Sequence, residues 1–157
     1  MPTGGSDKLR QNVLIVEVTV RVYYFVIRWR KGGCVLGVKR VLVADDQREL
    51  RDILEETLHL AGCEVHTACD GLEAVELAST VQPDLVLLDI CMPRLDGWKA
   101  YQALREKMPG IEVVVMTGYE VEKAAAKAHA MGLGFLAKPF DLDEVRRLVN
   151  GSGEQSA

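Results

Sequence analysis

Three carboxylates, a hydroxyl and an amine stand where apolar runs stop. Val41-Leu42-Val43-Ala44 ends at Asp45-Asp46, and Leu85-Val86-Leu87-Leu88 ends at Asp89. Val113-Val114-Val115-Met116 ends at Thr117, and Phe135-Leu136-Ala137 ends at Lys138. Each run has the length and composition of a buried strand. In a parallel α/β sheet the C-terminal strand ends open on one edge, where ligands bind, so these side chains are expected to converge. Carboxylates that close together repel and raise one another's pKa. A divalent cation removes that cost. An all-oxygen set suits Mg²⁺, which binds through one or two carboxylates, waters and phosphate oxygens. Lys138 offers a positive point charge to a phosphoryl oxygen, and Thr117 offers a hydroxyl donor. Asp89 is then the nucleophile, forming an acyl phosphate. Phosphoryl transfer asks mostly for position and charge neutralisation, and this set offers both.

The elements that must position these residues alternate from Arg40 onward. Strand Val41–Ala44 leads to a helix over 47–60, where Leu50, Ile53, Leu54, Thr57, Leu58 and Ala61 form one apolar stripe. Gly62 ends it. A short strand over 64–68 precedes Asp70-Gly71, which turns into a helix over 72–80 with Val75 and Ala78 inward. The strand ending at Asp89 is followed by Met92-Pro93 and by Asp96-Gly97, which opens a helix over 98–107. Trp98, Tyr101, Leu104 and Met108 share its inner face, and Pro109-Gly110 breaks it. Strand 111–116, an Ala-rich helix over 120–131 and strand 134–137 follow. Asp141 caps the last helix with Glu144 three residues on, and Leu142, Val145, Leu148 and Val149 form its buried face. Five strands alternating with five helices predict an open α/β sheet with helices on both faces.

Bulk composition sets the outer bounds. The chain has 157 residues, 48% hydrophobic, with a formal charge of −4. That charge divides unevenly: seven Lys/Arg and two Asp/Glu in residues 1–39 give +5, while twelve and twenty-one in residues 40–157 give −9. An acidic main domain argues against direct nucleic-acid binding through a basic face. Four cysteines at 34, 63, 69 and 91 lack metal-ligand spacing, and a domain of this size can rely on its core, so reduced thiols in the cytoplasm are expected. No signal peptide opens the chain.

The first 37 residues are distinct. Residues 1–11 are polar and expected to be disordered. From 12 to 31 apolar residues alternate with polar ones as in a strand, longer than most strands, and Gly32-Gly33 is placed to turn it onto Cys34-Val35-Leu36 as a hairpin. A membrane helix is the competing reading; the least polar stretch, 13–27, is shorter than the ~20 residues needed and contains Glu17 and Arg21. The abrupt change of charge near Val38 also fits an upstream extension from a misassigned start. The organisation expected is thus an extension over 1–37, a main domain over 39–150 and a disordered tail over 151–157.

Asp45-Asp46, Asp89-Ile90-Cys91-Met92-Pro93, Asp96-Gly97, Thr117-Gly118 and Lys138-Pro139 together resemble the receiver domain of bacterial two-component response regulators. The resemblance covers residues 40–150. It implies a doubly wound, five-stranded parallel sheet of the flavodoxin/CheY-like kind, strand order 2-1-3-4-5. It implies that Asp89 is the phosphoacceptor, fed by a sensor histidine kinase or a histidine phosphotransfer protein. Asp46 matches the direct Mg²⁺ ligand, Asp45 acts largely through water, and the backbone carbonyl of Cys91 is the remaining protein ligand. Thr117 and Lys138 match the pair that contacts the phosphoryl group, and Lys138-Pro139 matches a cis peptide. Phe135 falls at the switch aromatic; with Thr117 it is expected to repack the face of helix four, strand five and helix five. The implied output is a downstream protein target, with a phosphorylation-linked homodimer as a further option and no membrane partner. Because the chain stops just after the fifth helix, a stand-alone regulator is expected.

Two other functions compete. Haloacid-dehalogenase-like phosphatases also use an Asp nucleophile, Mg²⁺, Thr/Ser and Lys, but want a second acid two residues after the nucleophile, where Cys91 stands here. A phosphate-independent scaffold would need no complete site. Singly, each site residue has an ordinary reading: Asp45-Asp46 as a turn or cap, Asp89 as a strand-end acid, Thr117 as a cap, Lys138 as surface. It is their joint occurrence, in order, that points to chemistry. His59, His66 and His129 read as surface residues, Cys63 and Cys69 as packing residues, and Arg146-Arg147 as a solvated face.

Overall fold

The computed structural model of the protein describes residues 27–30, 33–36 and 39–150. The chain divides into two units, Met1–Val38 and Lys39–Ala157. In the first, β1 (Ile27–Arg30) and β2 (Gly33–Leu36) pair antiparallel, with Arg30 opposite Gly33 and Ile27 opposite Leu36. The alternating run over 12–26 and the polar stretches 1–11 and 151–157 lie outside the described residues.

The second unit contains β3 (Arg40–Ala44), α1 (Arg48–Leu60), β4 (Glu64–Ala68), α2 (Gly71–Val81) and β5 (Leu85–Asp89). It continues with α3 (Gly97–Lys107), β6 (Glu112–Thr117), α4 (Val121–Ala130), β7 (Gly134–Ala137) and α5 (Leu142–Asn150). Its five strands are all parallel, in the order β4-β3-β5-β6-β7. Counted from β3, that is the 2-1-3-4-5 order that the resemblance implies, with the five helices expected from the residues.

Strand periodicity builds two cores, because successive side chains leave opposite faces of a sheet. Leu42, Ala44, Val86, Leu88, Val113 and Val115 face one side and pack with Ala74, Val75 and Ala78 of α2 and Ala100, Tyr101 and Leu104 of α3. Val41, Val43, Leu85, Leu87, Val114 and Met116 face the other and pack with Leu54 and Leu58 of α1 and Val145 and Val149 of α5. Every residue of β5 is buried, which explains why its sequence is an unbroken apolar run rather than an alternating one.

Helix starts follow cap chemistry. The Asp70 carboxylate accepts from the N–H groups of Leu72 and Glu73, and that of Asp96 accepts from Lys99. At α5 the cap is reciprocal: the Asp141 carboxylate accepts from Asp143 N–H and the Glu144 carboxylate accepts from Asp141 N–H. Such caps satisfy first-turn donors that have no helical partner.

Two expectations are corrected. Ile53 is not in the core; it is 47% exposed. The buried line of α1 is Leu54, Thr57 and Leu58, spaced i, i+3, i+4, and Ile53 lies one residue around the helix from it, on the flank toward the open strand ends. Cys69 is exposed rather than a packing residue. It stands just past β4, where its backbone N–H donates to Glu73, and the chain is already turning into α2. Cys63 is buried, as expected.

Candidate functional site

Parallel register gathers the site. Ala44 is the partner of Leu88, so the next residues, Asp45 and Asp89, leave adjacent strands at the same level. Asp89 is in turn the partner of Met116, and Thr117 the partner of Ala137. Lys138 N–H donates to the Thr117 carbonyl at 2.8 Å, which extends the ladder one step and sets the lysine beside the threonine. The five positions are thus far apart in sequence and neighbours at one edge of the sheet.

Asp45, Asp89 and Thr117 are buried, while Asp46 is exposed. Lys138 Nζ lies 2.6 Å from Asp45 Oδ2 and 3.2 Å from Asp89 Oδ2, with only 16% of its side chain exposed. The remaining carboxylate oxygens are also engaged. Asp45 Oδ1 accepts from Gln47 N–H at 2.9 Å, and Asp89 Oδ1 accepts from Cys91 N–H at 3.0 Å. Arg51 of α1 donates to the Asp45 carbonyl at 2.7 Å, fastening the helix to the strand end. The lysine, expected to meet a phosphoryl oxygen, bridges two acids here.

Burial sets the electrostatics of Asp89. Desolvation pushes its carboxyl above the usual range, aided by the charge of Asp45 and opposed by Cys91 N–H and Lys138. Lys138 feels desolvation in the opposite sense, downward, but the Asp45 hydrogen bond and the two carboxylate charges outweigh it and hold the amine above its ordinary value. The site therefore keeps one cation between two acids of which one resists ionising.

The hydroxyl of Thr117 is engaged within its own loop. Its Oγ1 accepts from Tyr119 N–H at 3.0 Å, lies 3.2 Å from the Tyr119 carbonyl, and approaches Cys91 Sγ at 3.7 Å. Phe135 is half-buried against the core on the α2/α3 side. The Lys138–Pro139 peptide is cis.

Oxygens of Asp45, Asp46 and Asp89 lie within 4.8 Å of one another. Such a set of hard donors, two of them buried, fits Mg²⁺. One other group among the described residues is as close, Cys69, Asp70 and Glu73, but Asp70 and Glu73 are spent on capping α2 and on Cys69 N–H. Above the acids opens a cleft of about 810 Å³, lined by Leu50, Ile53, Thr117, Tyr119, Phe140 and Leu142 among others.

Close approach of glycines holds the β5–α3 connection in place. A Cβ at Gly97 would stand 2.3 Å from the Asp89 carbonyl oxygen, and one at Gly71 would stand 2.2 Å from that of Leu95. In the sequence both glycines show only as helix starts. Nothing local signals Arg51 or Arg94, because their partners, the Asp45 carbonyl and the Asp70 carboxylate, lie six and twenty-four residues away.

Residues 41–150 match the family model described as the response regulator receiver domain. Sporulation initiation phosphotransferase F of Bacillus subtilis (strain 168) is 34% identical over 112 residues, covering 71% of this chain and 90% of that protein. Regulatory protein AtoC of Escherichia coli (strain K12) is 38% identical over 114 residues, 72% of this chain but 25% of AtoC; the chain thus spans about a quarter of that relative. Among solved structures, the Francisella response regulator 1452 receiver domain superposes with a TM-score of 0.66 at 29% identity, covering 71% of this chain and 93% of that one.

Proposed function

The chain belongs to the response regulator receiver family, and from that premise we propose that Asp89 accepts a phosphoryl group from a phosphohistidine on a sensor kinase or a histidine phosphotransfer protein. The observation that carries the reading is the pairing of two buried acids, Asp45 and Asp89, through Lys138 at 2.6 and 3.2 Å. A buried carboxylate nucleophile needs a fixed counter-charge that outlasts its conversion to a phosphoryl dianion, and Lys138 supplies it.

In the transfer, an oxygen of Asp89 attacks phosphorus, the P–N bond to imidazole breaks, and the leaving ring keeps its electron pair. Cys91 N–H orients the carboxylate, and Lys138 neutralises charge on the transferred group. Asp45, Asp46 and Asp89 would hold Mg²⁺ together with the backbone carbonyl of Cys91. When bound, the ion supplies charge neutralisation at the phosphoryl oxygens. Thr117 then exchanges its bonds with Tyr119 for one to the phosphoryl group. Phe135 follows it inward, and the face of α4, β7 and α5 repacks as a two-state element. Phe135 lacks a hydroxyl, so the switch rests on packing. Output passes to a protein target by contact with that face, in the cytoplasm, and a phosphorylation-linked homodimer is one form that contact can take. The domain carries no catalytic turnover beyond its own phosphotransfer and hydrolysis.

Incubation with a small phosphodonor and Mg²⁺, followed by intact mass, tests the reading. One base-labile phosphoryl adduct is expected on the wild type and none on Asp89→Asn. An unmodified wild type, or an adduct that survives the substitution, would overturn it.

A further inference from the structure

The connection between β5 and α3 carries Cys91, and it is tied down at three places. Gly97 N–H donates to the Ile90 carbonyl at 3.2 Å, closing the loop on itself beside the strand end. The Leu95 carbonyl fills the space a Cβ would take at Gly71, the first residue of α2. Between these, Arg94 Nη1 lies 3.0 Å from Asp70 Oδ2. Arg94 is a non-glycine residue with φ 65°, a left-handed conformation that its side chain disfavours. A conformation of that kind persists where surrounding contacts over-determine it. Asp70 is suited to hold it. Its side chain is 4% exposed, and its other oxygen is fixed by the N–H groups of Leu72 and Glu73 at 2.9 and 3.0 Å.

We propose that Asp70 and Arg94 form a latch that sets the acceptor loop against the start of α2, and so act as positioning residues for the cation and phosphoryl site at Asp89. The inference rests on the function proposed above. Cys91 both aligns Asp89 through its N–H and offers its carbonyl to the ion, so the loop's seat decides how well the ligand set is arranged before the ion arrives. Residues behind the direct ligands commonly tune metal affinity in this way. The cap of α2 is doing two jobs with one carboxylate: one oxygen starts the helix, the other anchors a loop twenty-four residues downstream.

The test uses full-length wild type, Arg94→Gln and Arg94→Lys. Amide hydrogen exchange in the metal-free protein is read at Cys91, Met92, Arg94 and Leu95, and Mg²⁺ affinity is read by calorimetry without phosphodonor. In Arg94→Gln, exchange at these amides is expected to quicken and Mg²⁺ to bind roughly fivefold more weakly, below the usual effect of such residues because Arg94 is partly solvated. Arg94→Lys should restore both loop protection and affinity. Unchanged exchange in Arg94→Gln would show that no latch exists and leave the phosphoacceptor reading intact. Quickened exchange with unchanged Mg²⁺ affinity would also overturn the positioning role, leaving Arg94 a local staple. A wild type that fails to bind Mg²⁺ would overturn the site reading and the positioning role together, with exchange still reporting the loop contact.

Discussion

At the scale of single residues, the site holds opposed electrostatic demands that make separable predictions. Asp89 is buried, and desolvation raises its pKa above the unfolded value. An acid shifted this way favours the neutral form on folding. Its contribution is present in full below the unfolded pKa of about 3.9 and is lost as pH rises through the folded value. At neutral pH the metal-free protein therefore carries a carboxylate that opposes folding. Asp89→Asn removes that charge, and an amide can still accept from Cys91 N–H while Lys138 keeps Asp45. In chelator, the variant's thermal midpoint should rise by roughly 4 °C, the response of a domain this size to ~1 kcal/mol. Excess Mg²⁺ should narrow the gap, because only wild type gains from binding. A midpoint lower than wild type in chelator would contradict the electrostatic account. Lys138 has the reverse sign. Its raised pKa, caused by Asp45 and Asp89 against desolvation, gives stability that is complete below the unfolded lysine value of about 10.4 and lost as pH rises through the folded one. Lys138→Met leaves two buried acids facing each other and should cost about 3–5 kcal/mol in chelator, read by urea denaturation at neutral pH.

At the scale of elements, the helix faces and strand ends make the next set. In α1, Leu54 is fully buried and Ile53 is 47% exposed. Leu54→Ala should cost about 2–5 kcal/mol, whereas Ile53→Ala should change stability by no more than about 0.5 kcal/mol; equal losses in denaturant titrations would put Ile53 back in the core. The same contrast explains what the sequence could and could not say. Strand ends were legible because burial on both faces of a parallel sheet forces apolar runs, and a polar residue can stop such a run only at the edge. The Asp141 cap and the helix starts at Asp70-Gly71 and Asp96-Gly97 were legible because these acids bond to groups two or three residues away. Ile53 was misplaced because an apolar stripe read at i, i+3, i+4 gives no boundary, and the helix flank beside an open cleft can carry an apolar residue too. The position of Lys138 at the site is legible, but its bridging of both acids depends on register across three strand pairs, which pattern alone does not give. Gly97 is the clearest case of hidden tertiary constraint. Its absent Cβ leaves room for the Asp89 carbonyl, so Gly97→Ala should lower stability by about 1–3 kcal/mol and displace the acceptor strand end. Gly110, at φ 89° with open space around it, should lose only the backbone term, about 1 kcal/mol.

At the scale of the whole molecule, every residue of the proposed phosphoryl and cation site lies between Asp45 and Lys138, and the proposed output face ends with α5 at Asn150. Both hydrophobic cores are likewise built within residues 41–149. The unit Lys39–Ala157 has its own five-stranded sheet, covered on both faces by its own helices. Its size falls in the range where single domains fold alone. Lys39, at its start, reaches the Leu148 carbonyl at 3.3 Å and Glu112 at 3.9 Å, so the first residue of the unit ties the last helix and the fourth strand of the sheet together. Charge favours independence as well. Residues 39–157 carry thirteen Lys/Arg and twenty-one Asp/Glu, a net −8 against −4 for the full chain, and net charge of that size keeps a small domain soluble. We therefore expect residues 39–157, made without the first 38, to unfold in one cooperative step in urea, with coincident circular dichroism and fluorescence transitions. It should accept the same single phosphoryl group on Asp89, with Mg²⁺ dependence unchanged within about twofold, the margin for sites that do not share contacts. A shortened chain that fails to unfold cooperatively, or folds but loses the adduct, would mean that residues before Lys39 belong to the working domain. Lys39→Met within the shortened chain keeps the backbone carbonyl that accepts from Glu64 N–H at 3.0 Å and removes the side-chain ties to Leu148 and Glu112. The loss of a partly buried charge-assisted hydrogen bond predicts a drop in stability of about 1.5–3 kcal/mol at most, and its size measures how much the domain boundary owes to that side chain.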